Sequence, residues 1–137
     1  MARRILMIDD DRRTLEIVRY FLGEIGCEVE TYWNPREGLD AAKAERFDLI
    51  LLDLVIPGMD GYSVAQELKN DPRTAEIPIL FVSSKVQIVE LFLKNFAGRA
   101  DFLAKPFKRQ ELTERVERLL RPPDAEAVPA RTRPAQR

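Results

Sequence analysis

The stretch Phe47-Asp-Leu-Ile-Leu-Leu-Asp-Leu-Val-Ile-Pro-Gly-Met-Asp-Gly61 decides the fold. Within it Leu49–Leu52 is an unbroken apolar run, which is typical of a strand buried on both faces in the middle of a parallel sheet. The run ends on Asp53, which lies too far from the next predicted helix to cap it. A carboxylate is costly to bury, and ligands bind at this edge of α/β sheets, so the pattern predicts a chemical role for Asp53.

Composition limits what the chain can be. It has 137 residues, of which 45% are apolar, enough for one domain with one core. The 22 basic and 23 acidic residues give a net charge of -1, so no electrostatic reason exists to expect a nucleic-acid or membrane partner. The single cysteine, Cys27, cannot form an internal disulfide and is predicted to be a small core residue. No signal-peptide pattern is present, and a cytoplasmic location is predicted.

Four further segments complete the predicted sheet. Residues 5–8 and 79–82 are apolar throughout and predict two more central strands. Residues 28–32 alternate polar with apolar side chains and residues 101–104 are short and mixed, so both are predicted at the edges. A helical pattern follows each strand. The chain is therefore predicted to be a doubly wound α/β protein with a five-stranded parallel sheet in the order 2-1-3-4-5 and helices on both faces, the flavodoxin-like arrangement.

The first helix is predicted to begin near Thr14, with Asp11 as its cap. Its apolar residues recur at helical spacing: Leu15, Val18, Leu22 and Ile25. Later helices are predicted over residues 62–69, 86–97 and 108–121. After these, residues 122–137 are rich in proline and poor in large apolar side chains, which predicts a disordered tail behind one domain at 3–121.

The predicted helix at 86–97 has more apolar residues than one face of a sheet can cover. Exposed apolar patches usually mark partner sites, so this helix is predicted to form the main surface for a protein partner. The alternative is that the helix is simply buried more deeply than usual.

Chemically reactive residues occur where the predicted strands end. Asp9 and Asp10 end the first strand, Asp53 the third and Ser83 the fourth, and Lys105 follows the fifth. In the predicted sheet these ends share one crevice. Three crowded carboxylates need a cation to stay ionised, and an all-oxygen cluster without histidine or thiolate suits Mg²⁺. A nearby lysine suits phosphoryl transfer to a carboxylate.

The joint pattern resembles a known family, the receiver domains of two-component response regulators. The resemblance covers residues 3–121, and the length of the chain suggests a stand-alone, chemotaxis-type regulator. It rests on these motifs: Ile-Asp-Asp10, Asp53 followed by Pro57 and Gly61, Ser83, Gly98, Phe102 and Lys105-Pro106.

Carried over to this chain, the resemblance implies that Asp53 is the phospho-acceptor. Asp9, Asp10, Asp53 and the backbone carbonyl of Val55 would bind Mg²⁺, and Lys105 would pair with the phosphoryl oxygens. The chain would not be an enzyme acting on other molecules, since it would assist only its own phosphorylation and dephosphorylation.

The resemblance also implies a switch. Ser83 would hydrogen-bond a phosphoryl oxygen, Phe102 would be the aromatic switch residue, and the Lys105–Pro106 peptide would be cis. Three positions depart from the usual pattern. Val55 and Lys85 stand where the family tunes phosphoryl hydrolysis, and an apolar Val55 suggests a longer-lived phosphorylated state; Arg99 replaces a small residue.

The implied partners are proteins. With no histidine in the chain, the donor would be a phosphohistidine of a sensor histidine kinase or phosphotransfer protein. A downstream target would bind through the helix at 86–97, strand 5 and the helix at 108–121, with no nucleic acid and no membrane involved.

Two other functions are compatible with parts of the pattern. A phosphatase of the haloacid dehalogenase type needs Asp-x-Asp-x-Thr/Val; Asp9 and Asp11 fit, but Arg13 fills the last position and Asp53 would have no role. A receiver-like binding module that is never phosphorylated is the other alternative. Such modules usually lack an acidic, Ser/Thr or Lys residue of the set, and none is missing here.

Overall fold

The computed structural model describes residues 2–55, 61–94, 96 and 98–122. Its strands are β1 (Arg4–Ile8), β2 (Glu28–Tyr32), β3 (Leu49–Leu52), β4 (Ile79–Ser83) and β5 (Ala100–Ala104). All neighbouring pairs are parallel, and the strand order is β2-β1-β3-β4-β5. The predicted flavodoxin-like topology is therefore confirmed.

Five helices connect the strands: α1 (Arg12–Gly23), α2 (Pro35–Ala44), α3 (Gly61–Asn70), α4 (Val86–Lys94) and α5 (Arg109–Leu120). The end of the helix predicted at 86–97 includes residues 95 and 97, which lie outside the described residues. The helix predicted at 108–121 is confirmed, with Lys108 and Arg121 as its two caps. The predicted disordered tail lies, from residue 123 onward, outside the described part of the chain.

Helix α1 confirms its predicted cap but departs from its predicted apolar face. The Asp11 side chain accepts a hydrogen bond from the Arg13 amide at 3.0 Å and caps the helix, which begins at Arg12, slightly ahead of the apolar spacing that starts near Thr14. Ile25, predicted on the buried face, lies beyond the end of the helix and is exposed. The chain turns at Gly26, where φ is 86°, so the helical spacing no longer applies.

Two apolar cores lie on opposite faces of the sheet. Successive side chains of a strand point to opposite faces, so Leu49 and Leu51 of β3 join the core under α1 and α5, and Ile50 and Leu52 join the core under α2, α3 and α4. All four are fully buried, which explains the unbroken apolar run in the sequence. Cys27 is partly buried and packs against the α1–α5 core, at its margin rather than its centre.

The register of the sheet aligns the strand ends. Ile8 of β1 is paired with Leu52 of β3, and Ser83 of β4 is paired with Ala104 of β5. The next residues along β1, β3 and β5, which include Asp9 and Asp53, therefore emerge side by side at the carboxyl edge. None of the described helices is both long and apolar enough to cross a lipid bilayer.

Candidate functional site

Three aspartates form an acidic cluster at the carboxyl edge of the sheet. Asp9, Asp10 and Asp53 each place a carboxylate oxygen within 4.8 Å of those of the other two. Asp9 and Asp53 are buried, whereas Asp10 is exposed. The sequence predicted this grouping, since β1 and β3 are adjacent and each is followed directly by an aspartate.

Lys105 joins the two buried carboxylates. Its ammonium Nζ donates to Asp9 Oδ2 at 2.7 Å and to Asp53 Oδ2 at 3.2 Å. Burial lowers the pKa of Lys105, but the hydrogen bond and charge of Asp9, with the charge of Asp53, outweigh burial and hold that pKa above its ordinary value. The lysine is therefore a permanent cation at the site.

Lys105 does not fully stabilise the charged form of the Asp9 carboxylate. Burial, with a smaller contribution from the charge of Asp53, raises the pKa of Asp9 from 3.8 to about 6, although the Lys105 hydrogen bond and the Asp11 amide both lower it. The single ammonium therefore does not compensate for two buried carboxylates, and the site has an unmet demand for positive charge.

The same local turn holds the polar side chain at three strand ends. In each, the side-chain oxygen accepts a hydrogen bond from the amide two residues further along. The pairs are Asp11 amide to Asp9 at 2.9 Å, Val55 amide to Asp53 at 3.0 Å and Lys85 amide to Ser83 at 3.0 Å. The sequence analysis missed these turns; the signal was an Asp directly after β1 and β3 and a Ser at the end of β4, since both residue types favour such turns.

These turns orient both buried carboxylates. The amides hold Oδ1 of Asp9 and of Asp53, so Oδ2 of each faces Lys105. Asp10 differs, because its carboxylate makes no hydrogen bond or ion pair with any residue that the structure describes. Its oxygens are therefore available to a ligand.

The donor set fits Mg²⁺. It consists of carboxylate oxygens with no imidazole or thiolate, which suits a hard divalent cation. Two donors are held rigidly and buried, and the exposed third can adjust to octahedral geometry. The Val55 carbonyl, predicted as a further ligand, belongs to the residue whose amide bonds Asp53, and its role stays a prediction.

Of the two predicted switch residues, Ser83 adjoins Lys105 of the site, whereas Phe102 lies within β5. Ser83 is buried at the end of β4, and its carbonyl accepts a hydrogen bond from the Lys105 amide at 3.0 Å. Phe102 of β5 is paired with Phe81 of β4, is partly buried and packs against the core under α4. The Lys105–Pro106 peptide is cis, as predicted. Arg99 donates to the Arg118 carbonyl, linking the start of β5 to α5.

The geometry disfavours the phosphatase alternative. That function leaves Asp53 without a role, whereas Lys105 bonds Asp53 and Asp9 together. Arg13, at the position where the motif needs Thr or Val, belongs to helix α1.

Comparison with known proteins gives the family. The family model described as the response regulator receiver domain matches residues 5–117, inside the predicted domain. The chain is 39% identical over 121 residues to the DNA-binding dual master transcriptional regulator RpaA of Synechocystis, covering 88% of this chain and 50% of RpaA. It is 36% identical over 126 residues to the DNA-binding response regulator MtrA of Mycobacterium tuberculosis, covering 92% and 54%. The chain thus spans about half the length of these curated relatives, whose DNA binding is a property of those proteins.

Solved structures agree with this family. The receiver domain of the sensor histidine kinase PA1611 from Pseudomonas aeruginosa, which has a magnesium ion in its active-site cleft, is 29% identical with a TM-score of 0.78, over 88% of this chain and 98% of that one. The chemotaxis response regulator CheY4 of Vibrio cholerae is 27% identical with a TM-score of 0.76, over 87% and 99%.

Receiver domains interact with histidine kinases or phosphotransfer proteins, and they bind Mg²⁺ in an acidic site. The predictions of a stand-alone regulator and of a cytoplasmic location stay predictions. The chain belongs to the response regulator receiver domains, the phosphorylatable signalling switches of two-component systems.

Proposed function

We propose that Asp53 accepts a phosphoryl group from the phosphohistidine of a partner kinase or phosphotransfer protein, in a reaction that depends on Mg²⁺. One observation carries this proposal: Asp53 is a buried carboxylate that shares Lys105 with a second buried carboxylate, Asp9, beside the exposed Asp10. This arrangement combines a nucleophile, a fixed cation and open oxygen ligands in one crevice.

The transfer exchanges one bond for another. An oxygen of the Asp53 carboxylate forms a bond to phosphorus, and the bond from phosphorus to the donor imidazole nitrogen breaks. The Val55 amide, 3.0 Å from Oδ1, holds the carboxylate in one orientation for this attack. Lys105 stays close enough to offset the negative charge that the phosphoryl oxygens bring.

Asp9, Asp10, Asp53 and the Val55 carbonyl would hold the Mg²⁺. When bound, Mg²⁺ supplies the positive charge that lets the crowded carboxylates ionise and neutralises phosphoryl oxygens. The raised pKa of Asp9, caused mainly by burial, supports a need for such a cation. On this account the protein assists only its own phosphorylation and dephosphorylation.

Ser83 and Phe102 would convert the added phosphoryl group into a change of surface. The Ser83 Oγ accepts from the Lys85 amide, so its hydroxyl hydrogen remains able to donate to a phosphoryl oxygen. Movement of the loop after β4 would then open space for the partly buried Phe102 ring. A charge-assisted hydrogen bond of this kind can contribute a few kcal/mol to such a population shift.

A downstream protein would bind the surface formed by α4, β5 and α5. Support comes from α4, on which Ile88 is 52% exposed and Leu91 is 66% exposed. Large apolar side chains so exposed on one helix favour a protein contact.

Intact-mass measurement tests the acceptor. Wild-type protein incubated with acetyl phosphate and Mg²⁺ should gain the mass of one phosphoryl group, and the gain should disappear when the metal is chelated. Asp53→Asn should gain none, while Asp40→Asn, which changes an exposed aspartate of α2, should behave as wild type. Equal phosphorylation of Asp53→Asn would refute the assignment.

A further inference from the structure

Four aromatic rings fasten helix α4 to its neighbours, and we call them the aromatic clasp: Tyr62, Phe81, Phe92 and Phe96. The ring centroids of Tyr62 on α3 and Phe92 on α4 are 4.1 Å apart, at an interplanar angle of 64°. Phe92 also meets Phe81 of β4 edge to face, at 5.2 Å. The clasp therefore fixes α4 to α3 on one flank and to the sheet beneath.

The same helix α3 begins directly against the phospho-acceptor strand. The Gly61 amide donates to the Leu54 carbonyl at 3.0 Å. A Cβ on Gly61 would collide with the carbonyl oxygen of Asp53 and with the Leu54 backbone, so only glycine permits this approach. Tyr62 is the next residue, so it follows the glycine that touches the Asp53 backbone and its own ring contacts Phe92 of α4.

We propose that Tyr62 is a positioning residue that holds α4 in its unphosphorylated place, a role that rests on the proposed phosphorylation of Asp53. In the described arrangement Lys105 donates directly to the Asp53 carboxylate at 3.2 Å, a contact that a phosphoryl group on that carboxylate would displace. A contact made in one conformational state stabilises that state over others. The Tyr62–Phe92 contact therefore favours the unphosphorylated position of α4.

The distance between the rings makes this contact sensitive to movement. Aromatic pairs usually have centroids about 4.5–7 Å apart, so the Tyr62–Phe92 pair is closely packed. A shift of α4 away from α3 would remove the interaction. Tyr62 holds α4 from α3, whereas Phe102 lies on β5 and adjoins the clasp at its strand partner Phe81.

The exposure of Tyr62 shows that its ring is not part of the hydrophobic core. Phe92 is only 5% exposed and belongs to the core, whereas Tyr62 is 48% exposed. Removal of a half-exposed ring leaves the core under α3 in place, since Val64, Ala65 and Leu68 fill it. Tyr62 can therefore be changed without unfolding the domain.

The test measures binding of beryllofluoride, a mimic of the phosphoryl group on a carboxylate, in the presence of saturating Mg²⁺. Tyr62→Ala should bind beryllofluoride about two- to tenfold more tightly than wild type, the range expected for loss of one aromatic pair. Its affinity for Mg²⁺ alone should be unchanged, because no metal ligand moves. Amide NMR signals of α4 should shift toward those of the beryllofluoride-bound wild type before any ligand is added.

Two variants serve as matched controls. Tyr62→Phe keeps the ring pair and should behave as wild type. Tyr20→Ala removes a tyrosine that is likewise exposed, but on α1, and should also leave the affinity unchanged. If Tyr62→Ala fails to fold, Phe92→Leu takes its place. It removes the same ring pair from the α4 side and should likewise raise the affinity for beryllofluoride.

The proposal fails if folded Tyr62→Ala binds beryllofluoride with wild-type or weaker affinity. It also fails if the affinity for Mg²⁺ alone rises by the same factor, since the effect would then lie in the metal site. Failure of the proposed function has another signature: wild type would bind beryllofluoride no better than Asp53→Asn.

Discussion

Two aspartates, one at the carboxyl edge of the sheet and one in the α3–β4 connection, each form a short ion pair, yet their pKa values shift in opposite directions. At the carboxyl edge Lys105 lies 2.7 Å from Asp9, and in the α3–β4 connection Arg73 lies 2.8 Å from Asp71. Burial raises the pKa of Asp9 to about 6, whereas the hydrogen bonds from Arg73 lower the pKa of Asp71 to about 2. Ion pairs of nearly equal length thus leave the buried Asp9 carboxylate in need of more positive charge but stabilise the charged form of Asp71.

The hydroxyls of the two regions show the same contrast. Thr74 and Ser83 are both buried. The Thr74 hydroxyl donates to the Leu68 carbonyl at 2.6 Å and so completes the end of α3. The Ser83 hydroxyl accepts from the Lys85 amide and, among the residues that the structure describes, donates to none, so its hydrogen is available to another partner. Groups in the connection serve the fold, and groups at the carboxyl edge retain capacity for ligands.

The largest expected difference between the regions is in metal binding. Asp10→Ala should weaken Mg²⁺ binding by at least about tenfold and slow phosphorylation, because it removes a free carboxylate ligand. Stability without metal should hold or rise, since like-charge repulsion is relieved. Asp71→Ala is the matched control and should leave Mg²⁺ affinity unchanged while lowering stability. Titration calorimetry with thermal unfolding measures both, and a large loss of stability in Asp10→Ala would show that Asp10 is structural.

Removal of the Ser83 hydroxyl should affect signalling, whereas removal of the Thr74 hydroxyl should affect stability. Ser83→Ala should still be phosphorylated on Asp53 but should show a reduced shift of the α4 NMR signals, because the phosphoryl group loses a hydrogen-bond donor. Thr74→Val should respond as wild type but lose about 1–3 kcal/mol of stability, since the Leu68 carbonyl loses its buried partner. A full α4 response in phosphorylated Ser83→Ala would exclude Ser83 from the switch.

Without metal, Asp9 and Asp71 should contribute opposite pH dependence to the free energy of unfolding. Folded Asp9 takes up a proton near pH 6, whereas the unfolded carboxyl does so near 3.8. The folded state therefore binds more protons in this window, and the Asp9 contribution makes the free energy of unfolding increase as pH falls from about 6 to 4, by at most about 1.4 kcal/mol per pH unit. Asp71, with its lowered pKa, contributes stability that is lost as pH falls further, toward 2.

Chemical denaturation across this pH range checks the sign. The charged groups that face Asp9 are Lys105, Asp53 and Asp10, and they are unchanged in Asp9→Asn. The difference between wild type and Asp9→Asn should therefore show the Asp9 slope alone. Mg²⁺ affinity of wild type should fall over the same window, because protons compete for the carboxylate. A wild-type curve parallel to that of Asp9→Asn would mean that Asp9 ionises normally.

The smallest effect is expected on the exposed side of α4. Leu91→Ser should change the free energy of unfolding by no more than about 0.5 kcal/mol, because Leu91 is 66% exposed. Phe92→Ala should lose about 3–5 kcal/mol, since that ring is core. If Leu91→Ser is as damaging as a core truncation, α4 is buried more deeply than described and the partner surface lies elsewhere.

Much of the fold was predictable because burial leaves a direct pattern in the sequence. Strands covered on both faces are apolar throughout, as in β3, and the alternating β2 lies at an edge. Asp53 stood out as a carboxylate ending such a run. The Asp11 cap of α1 was predictable from residue type and position, although the apolar spacing alone indicated a start only near Thr14.

Other features depend on packing between elements that are distant in sequence. Periodicity showed that α4 has more apolar residues than one face needs, but it did not show which of Leu91, Leu93 and Phe96 faces outward. Packing against the sheet decides this, and Leu91 is the exposed residue of the three. The Tyr62–Phe92 contact depends on how α3 and α4 lie side by side. The raised pKa of Asp9 likewise reflects burial by surrounding strands, which composition does not reveal.

The most direct test of the central claim is to locate the phosphoryl group. After reaction with acetyl phosphate and Mg²⁺, reduction with borohydride converts an aspartyl phosphate to homoserine, and peptide mass spectrometry reads its position. The account predicts homoserine at residue 53 alone, and none when Mg²⁺ is withheld. Homoserine at Asp9, Asp10 or Asp11 in place of Asp53 would contradict it.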